Sequence, residues 1–433
     1  MEIDADTIAA IATAAGVGGV GIVRISGPQA IAIADAMVGH PLDRSVRVGW
    51  AHDRAGVRVD QVLAFAMRAP ASFTGEDVAE LHGHGGPENL ARLLAAVVER
   101  GARLAEPGEF TRRAVLNGKL DLARAEALLD VIHAGSERAW RQAQHNLGGT
   151  LGVTAAALEA RVLSLLAEIE GRIDFPEEGI AAADANAIES ELTALELRVR
   201  ELASGFRHAR AVQRGITIAL VGAVNAGKSS LLNALVGRER ALVAAEPGTT
   251  RDYLEVATTW DGIAVTLIDT AGTRSAADPI EARGIALGER RVAEADVVVI
   301  VDDGSSSPAT YGDRELQVRS KIDLAPAPAG TLGTSARTGA GLDELMRRAL
   351  AIAGVAAREG SEDALVTTER QHGLVVTAGD ALAAALVQWR GPQIGEVIAL
   401  ELRQAAAALA RLRGVEVGDR VLDEVFARFC IGK

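Results

Sequence analysis

The sequence predicts an α/β + α protein in which one α/β domain is inserted into a helical one. Three observations carry this. The hydrophobic period changes twice along the chain, a glycine-rich turn follows a continuous apolar run near residue 221, and helical patterning lies on both sides of the region that begins there. The expected boundaries are a mixed α/β domain at 1–118, a first helical part at 119–211, a parallel-sheet α/β domain at 212–352 and a second helical part at 353–433.

In the first region short apolar runs alternate with glycine-rich turns. Residues 20–25 and 61–67 read as strands, and residues 29–38 and 87–100 as helices, the second stopped by Gly101. Leu158, Val162, Leu165, Ile169 and Ile173 then recur at helical spacing, as do Ile188, Leu192, Leu195, Val199, Leu202 and Phe206, which predicts a bundle seam. Pro176 and Gly179 break the helix between these two runs. Residues 216–221, 264–268 and 297–301 are buried-strand runs of a largely parallel sheet. The stretch 303–319 is short for a helix plus a strand, so that edge of the sheet is expected to be trimmed. Residues 363–412 and 419–429 are again helical.

Apolar residues make up 48% of the 433, ample for packed cores, and aromatics only 3%, so the cores must be aliphatic. The single cysteine, Cys430, excludes an internal disulfide framework and a cysteine-cluster metal site. It is either a nucleophile or a small buried hydrophobe. The early acids Glu2, Asp4 and Asp6 argue against a signal peptide, and the longest uncharged stretch, Thr7 to Val23, is interrupted by four glycines. A cytoplasmic protein that does not span a membrane is expected. The net charge of −13 argues against a broad, non-specific nucleic-acid binder. Only four of the 45 basic residues are lysine: Lys119, Lys228, Lys321 and Lys433. Either they are leftovers of an arginine-rich composition, or these positions need a compact ammonium.

The clearest motif is Gly222-Ala223-Val224-Asn225-Ala226-Gly227-Lys228-Ser229, followed by Ser230, which fits G-x-x-x-x-G-K-[ST] between a strand and a helix. Backbone N–H groups of such a loop cradle phosphates, the lysine reaches the β- and γ-phosphates and the serine hydroxyl binds Mg²⁺. The segment Gly248-Thr249-Thr250-Arg251-Asp252 can supply a switch hydroxyl, and Asp269-Thr270-Ala271-Gly272 supplies a metal-side acid and a γ-phosphate contact. Ser320-Lys321-Ile322-Asp323 resembles the base-reading Asn-Lys-x-Asp of GTP-binding proteins, and Ser335-Ala336-Arg337 their last guanine-contacting loop. Two departures stand out beside the short 303–319 stretch. Ser320 replaces Asn, which removes a side-chain amide that braces the base and the phosphate loop. Thr273 stands where Ras-type enzymes place a water-orienting Gln.

The whole chain resembles the MnmE (TrmE) family. The resemblance rests on residues 6–13 with 18–27, on Phe73-Thr74-Gly75-Glu76 through Gly86, on residues 106–113 with 117–122, and on the terminus Phe429-Cys430-Ile431-Gly432-Lys433. It implies a folate-binding N-terminal domain, a homodimer through that domain, and a complex with the FAD-carrying flavoprotein MnmG. It also implies GTP-dependent addition of an aminomethyl or carboxymethylaminomethyl group to C5 of the wobble uridine of certain tRNAs, using a 5-formyl or 5,10-methylene tetrahydrofolate. By motif position, folate contacts fall on Arg24, Glu80, Lys119 and Lys433. K⁺ contacts fall on Asn225, Ala244, Glu246 and Thr249, Mg²⁺ on Ser229 and Thr250, and the water-orienting acid on Glu281, twelve residues after Asp269. His82 and His84 flank Gly83 and are expected in a tight glycine-rich turn rather than on a metal. Two other readings use the same motifs: a ribosome-assembly GTPase, for which no basic RNA-binding module is found, and a folate-dependent aminomethyl transferase with a vestigial GTPase.

Overall fold

The computed structural model describes residues 6–174, 182–237, 254–269, 290–303, 312–355, 365–391 and 395–432. The chain divides into two compact units, residues 1–129 with 410–433, and residues 130–409.

In the first unit, β1 (Ile8–Ile11), β2 (Gly21–Ser26), β3 (Arg47–His52), β4 (Arg58–Met67), β5 (Val78–Gly83) and β6 (Arg103–Leu104) form one sheet in the order β3-β4-β5-β2-β1-β6. All pairs are antiparallel except β1 with β6. Strand alternation sorts the side chains. Val23, Ile25, Val62, Ala64 and Leu81 bury one face under α1 (Ala30–Val38) and α2 (Pro87–Val98), through Ile31, Met37, Leu90 and Leu93. On the opposite face Ile8 and Ala10 meet Phe110 and Phe73. The same pleat puts Arg24 directly opposite Glu80, with Phe65 on the far side of Glu80. α3 (Glu109–Leu116) and α4 (Leu122–His133) follow. The C-terminal Leu422, Phe426 and Phe429 pack on Leu122 and Ala125, which brings the end of the chain into this unit.

In the second unit α5 (Glu137–Leu147), α6 (Thr150–Asp174), α7 (Ala182–Ser204) and α8 (Phe206–Arg214) precede the inserted sheet. The predicted seam is buried: Leu158, Val162, Leu165, Ile169, Ile188, Leu192, Leu195, Val199 and Leu202 are each at most 5% exposed. Among the described residues α6 is long and apolar enough to cross a membrane by length and composition. Its apolar stripe, Leu158, Val162, Leu165 and Ile169, is packed in the bundle, and its Arg161 pairs with Glu191 of α7 at 2.8 Å.

The inserted domain has β7 (Ile216–Gly222), α9 (Lys228–Val236), β8 (Leu254–Trp260), β9 (Ile263–Asp269), β10 (Val297–Asp302), β11 (Glu315–Arg319), β12 (Leu332–Gly333) and α10 (Leu342–Ile352). The sheet order is β12-β11-β10-β7-β9-β8, parallel except for β8 with β9. The expected trimming did not happen: β11 is a full partner of β10, paired from Val298↔Glu315 to Asp302↔Arg319. Helices α11 (Glu369–Arg390), α12 (Gly395–Arg413) and α13 (Asp419–Phe426) complete the chain.

The ends of the inserted domain are fastened to the same helical layer. Gln213 Nε2 donates to the Asp130 carbonyl at 2.8 Å on entry, while Asn146 Nδ2 donates to the Leu365 carbonyl and Thr367 Oγ1 to Asp130 Oδ2, both at 2.9 Å, on exit. Insertion is therefore a local property of these residues: the chain leaves the layer and returns to it at one place.

Candidate functional site

At the end of β7 the backbone turns sharply. Gly222 has φ +149°, and a Cβ there would lie 2.2 Å from the Val301 carbonyl oxygen, so only glycine fits. Gly227, at φ +97°, caps α9. Asn225 takes a left-handed φ of +65° between them. The result is a loop whose N–H groups and helix N-terminus face one concavity, the arrangement that holds phosphate oxygens. The Lys228 ammonium folds over it, donating to the carbonyls of Gly222 and Ala223 at 2.9 and 2.8 Å. Ser229 Oγ donates to Asp269 Oδ2 at 2.5 Å. A hydroxyl and a carboxylate that close make a hard-oxygen pair suited to Mg²⁺.

The base-reading segment lies against the same loop. Lys321, at φ +57°, donates to the Asn225 carbonyl at 2.6 Å and pairs with Asp303 at 3.3 Å. Asp323 accepts from Ser335 Oγ at 2.7 Å, and Arg337 Nε stands 3.8 Å from its other oxygen. The Ser335 hydrogen bond, with the Arg337 charge, holds the Asp323 carboxyl below its ordinary value against burial. It is thus an anionic acceptor. The loss expected from Ser320 is only partial, because its hydroxyl donates to the Ala226 carbonyl at 2.7 Å and the brace to the phosphate loop survives. Ala244, Ala245, Glu246, Pro247, Gly248, Thr249, Thr250, Thr270, Ala271, Gly272, Thr273 and Glu281 lie outside the described residues, as does Lys433.

The first unit holds a second constellation. Arg24 Nε donates to Glu80 Oε1 at 2.8 Å, and His82 Nε2 meets Glu80 Oε2 at 2.7 Å. The Glu80 side chain is 9% exposed. Burial would raise its carboxyl; the His82 hydrogen bond and the Arg24 charge outweigh that and hold it low. The Arg24 guanidinium lies 5.7 and 5.8 Å from the ring centres of Phe73 and Phe110, and its Nη1 donates to the Gly432 carbonyl at 3.4 Å. Lys119 reaches the neighbouring loop, its ammonium donating to the Pro70 carbonyl at 2.9 Å. That loop is itself pinned. Asn117 Nδ2 donates to the Thr74 carbonyl at 2.8 Å, Ser26 Oγ lies 2.7 Å from Thr74 Oγ1, and Ser26 also donates to Glu76 at 2.8 Å. Behind it the buried Arg113 joins Glu76, Asp6 and Glu109 at 3.2, 2.6 and 2.9 Å.

Sequence reading missed His82, Phe73, Phe110 and Arg113 as parts of this site. Two readings are corrected. His82 is not in a turn: β5 runs through it to Gly83, because β2 and β4 pair with it on both sides. Cys430 is exposed rather than a buried hydrophobe. Among the described residues no cluster of three or more His, Cys, Asp or Glu could hold a metal ion.

The inserted sheet, its phosphate loop and its base-reading segments define a GTPase of the P-loop class. Beyond that class, the family model of the MnmE helical domain matches residues 122–430, and that of the GTP-binding protein TrmE N-terminus matches residues 7–119. Curated proteins described as tRNA modification GTPase MnmE are similar over nearly their whole length. That of Opitutus terrae is 40% identical and one of Thermus thermophilus 42% identical, each over 99% of both chains. That of Synechococcus sp. strain RCC307 is 43% identical over 99% of this chain and 98% of its own. The chain belongs to the MnmE (TrmE) family of GTPases.

Proposed function

We propose that this chain hydrolyses GTP in the course of modifying C5 of the wobble uridine, position 34, of certain tRNAs. It acts as a cytoplasmic homodimer together with the FAD-carrying flavoprotein MnmG, and the group installed is aminomethyl or carboxymethylaminomethyl. The observation that carries the reading is that one chain holds two separately built sites, a phosphate loop and the Arg24–Glu80–His82 constellation under its own C-terminal segment. The near full-length similarity to tRNA modification GTPases supports it. A ribosome-assembly role or a vestigial GTPase would leave one of the two sites without work.

The second site suits a tetrahydrofolate derivative. An ionised carboxylate offers about four lone-pair positions. Glu80 spends one on Arg24 and one on His82, leaving acceptor capacity for the N–H edge of a pterin. Arg24, Lys119 and Lys433 offer cations to the glutamate tail. Phe73 and Phe110 hold the guanidinium of Arg24 in place. Bound tetrahydrofolate supplies the one-carbon unit.

In the nucleotide site Lys228 and the α9 N-terminus hold the phosphates, Ser229 with Thr250 binds Mg²⁺, and Asp269 fixes the Ser229 hydroxyl. Asn225, Thr249 and the carbonyls near Ala244 and Glu246 hold K⁺, in the role an arginine finger plays elsewhere. Glu281 orients the attacking water. The test is a tRNA nucleoside profile from a strain lacking its own copy and carrying this chain, Lys228→Ala or Glu80→Ala. The parental chain restores the modified uridine and neither variant does. A profile restored equally by all three refutes the proposal.

A further inference from the structure

We propose that Ser320 leaves this nucleotide site blind to N7 of guanine, so that specificity is read from the base's donor edge and not from its imidazole edge. The inference rests on the GTPase reading and refines the specificity of that site. Ser320 directly follows β11, between β10 and the phosphate loop, and is 7% exposed. Its Oγ lies 2.7 Å from the Ala226 carbonyl oxygen and 3.3 Å from that of Asp302. Both partners are acceptors, so the hydroxyl must be the donor to each, and it owns a single hydrogen. Ala226 is 0% exposed, so turning the hydroxyl away leaves a buried carbonyl without that partner. The hydrogen is committed to the loop.

Guanine presents two faces of opposite kind. N1–H and the 2-amino group are donors, and O6 and N7 are acceptors. The anionic Asp323, three residues further on, can pair only with the donor edge. N7 requires an N–H or O–H. An asparagine amide at position 320 would carry two N–H groups, enough to brace the loop and reach the base together. A hydroxyl with one hydrogen can do one of these, and here it braces the loop.

The experiment is competition against a fluorescent GTP analogue on the full chain, using GTP, 7-deaza-GTP (in which N7 is CH), ITP (which lacks the 2-amino group) and ATP. GTP and 7-deaza-GTP should compete within about twofold of each other, and ITP roughly tenfold more weakly. Ser320→Asn should open a gap of about fivefold in favour of GTP over 7-deaza-GTP. Ser320→Ala removes the brace, so both nucleotides should weaken together with their ratio unchanged. That variant carries the test if the asparagine does not fit the buried position. A parental chain that binds 7-deaza-GTP fivefold or more weaker than GTP overturns the inference alone, as does a ratio that moves in Ser320→Ala. A folded chain that binds ATP as well as GTP overturns the guanine reading itself, and this inference with it.

Discussion

Gly432→Ala should detach the C-terminal segment from the first unit without unfolding that unit. Gly432 has φ +94°, and a Cβ there would lie 2.2 Å from the Ile11 carbonyl oxygen and 2.9 Å from the Ala12 Cα. Left-handed backbone alone costs a non-glycine residue roughly 1–2 kcal/mol, and a backbone contact that short cannot be relieved by a rotamer change. Against this stand two long hydrogen bonds, Arg24 Nη1 to the Gly432 carbonyl at 3.4 Å and Gly108 N–H to the Cys430 carbonyl at 3.5 Å. Both are at the long limit, so each falls at the low end of its class, about 0.5 kcal/mol for the neutral bond and about 1.5 kcal/mol for the one from the charged Arg24. The substitution therefore costs more than the docking returns, and the segment lets go. Phe426 and Phe429 keep their places on Leu122, so the global unfolding transition should move by no more than a few degrees. What is lost is preorganisation. Arg24 gives up its carbonyl partner. Affinity for 5-formyltetrahydrofolate should drop by about tenfold, which is about 1.4 kcal/mol. Isothermal titration with that folate, hydrogen exchange of residues 427–432 and GTP turnover separate the cases. Parental folate affinity together with parental protection of the segment would refute the reasoning, whereas a loss of GTP turnover would place the damage elsewhere.

Replacing K⁺ by Na⁺ at equal ionic strength should slow GTP turnover markedly, because equal charges of different radius are told apart by coordination at Asn225 and its partners; equal rates in the two salts remove the K⁺ assignment. Glu281→Ala should lower hydrolysis by ~10²–10⁴-fold with nucleotide affinity nearly unchanged, since a group that aligns water acts in the transition state. A parental rate in that variant sends the search to Asp278 and Glu289. The Glu80 carboxyl has a folded value below its ordinary 4.5, so the stability it contributes is present in full above about pH 5 and is lost as pH falls through the lowered value. The melting temperature of the parental chain should therefore fall more steeply than that of Glu80→Gln between about pH 5 and pH 3; parallel curves would mean that the pair does not stabilise the charged form. Lys119→Arg should weaken folate binding several-fold, because a planar fork cannot repeat the ammonium's single close approach to the Pro70 carbonyl, and an unchanged titration would return Lys119 to a generic positive charge.

The parts of the fold that were legible in the sequence are those whose partners are close in the chain or periodic. Leu158 through Leu202 announce a bundle because each residue shares a face with the one three or four places on. The phosphate loop is legible because Gly222, Gly227, Lys228 and Ser229 all belong to one turn. The first unit's site is not local. Arg24 and Glu80 are 56 residues apart, and Arg24 and Gly432 are 408 apart. The sheet register, β2 against β5, makes the first pair neighbours, and the packing of Phe426 and Phe429 on Leu122 brings in the second. His82 was misplaced for a related reason. The glycines at 83, 85 and 86 favour a turn, but pairing on both edges carries β5 through to Gly83, so tertiary context overrides local propensity. Arg113 gave no signal because its partners come from the first residues, a loop and its own helix.

The scarcity of lysine has a structural counterpart. Each of the three described lysines sets its ammonium on a backbone carbonyl: Lys228 on Gly222 and Ala223, Lys321 on Asn225, Lys119 on Pro70. Carbonyls turned inward by a tight loop converge on a point. An ammonium meets them with donors that rotate about one atom, whereas a guanidinium spreads its donors over a rigid plane and needs room for the whole plane. A composition that otherwise uses arginine for positive charge would lose these contacts if it used arginine here. Two of the three lie in the nucleotide motifs, and there the carbonyls they occupy are those of the phosphate loop itself. When an anion enters, Lys228 has only to swing from Gly222 and Ala223 toward it, while Lys321 and Ser320 keep their hold on Asn225 and Ala226. The loop's shape is thus maintained by groups other than the lysine that serves the phosphates.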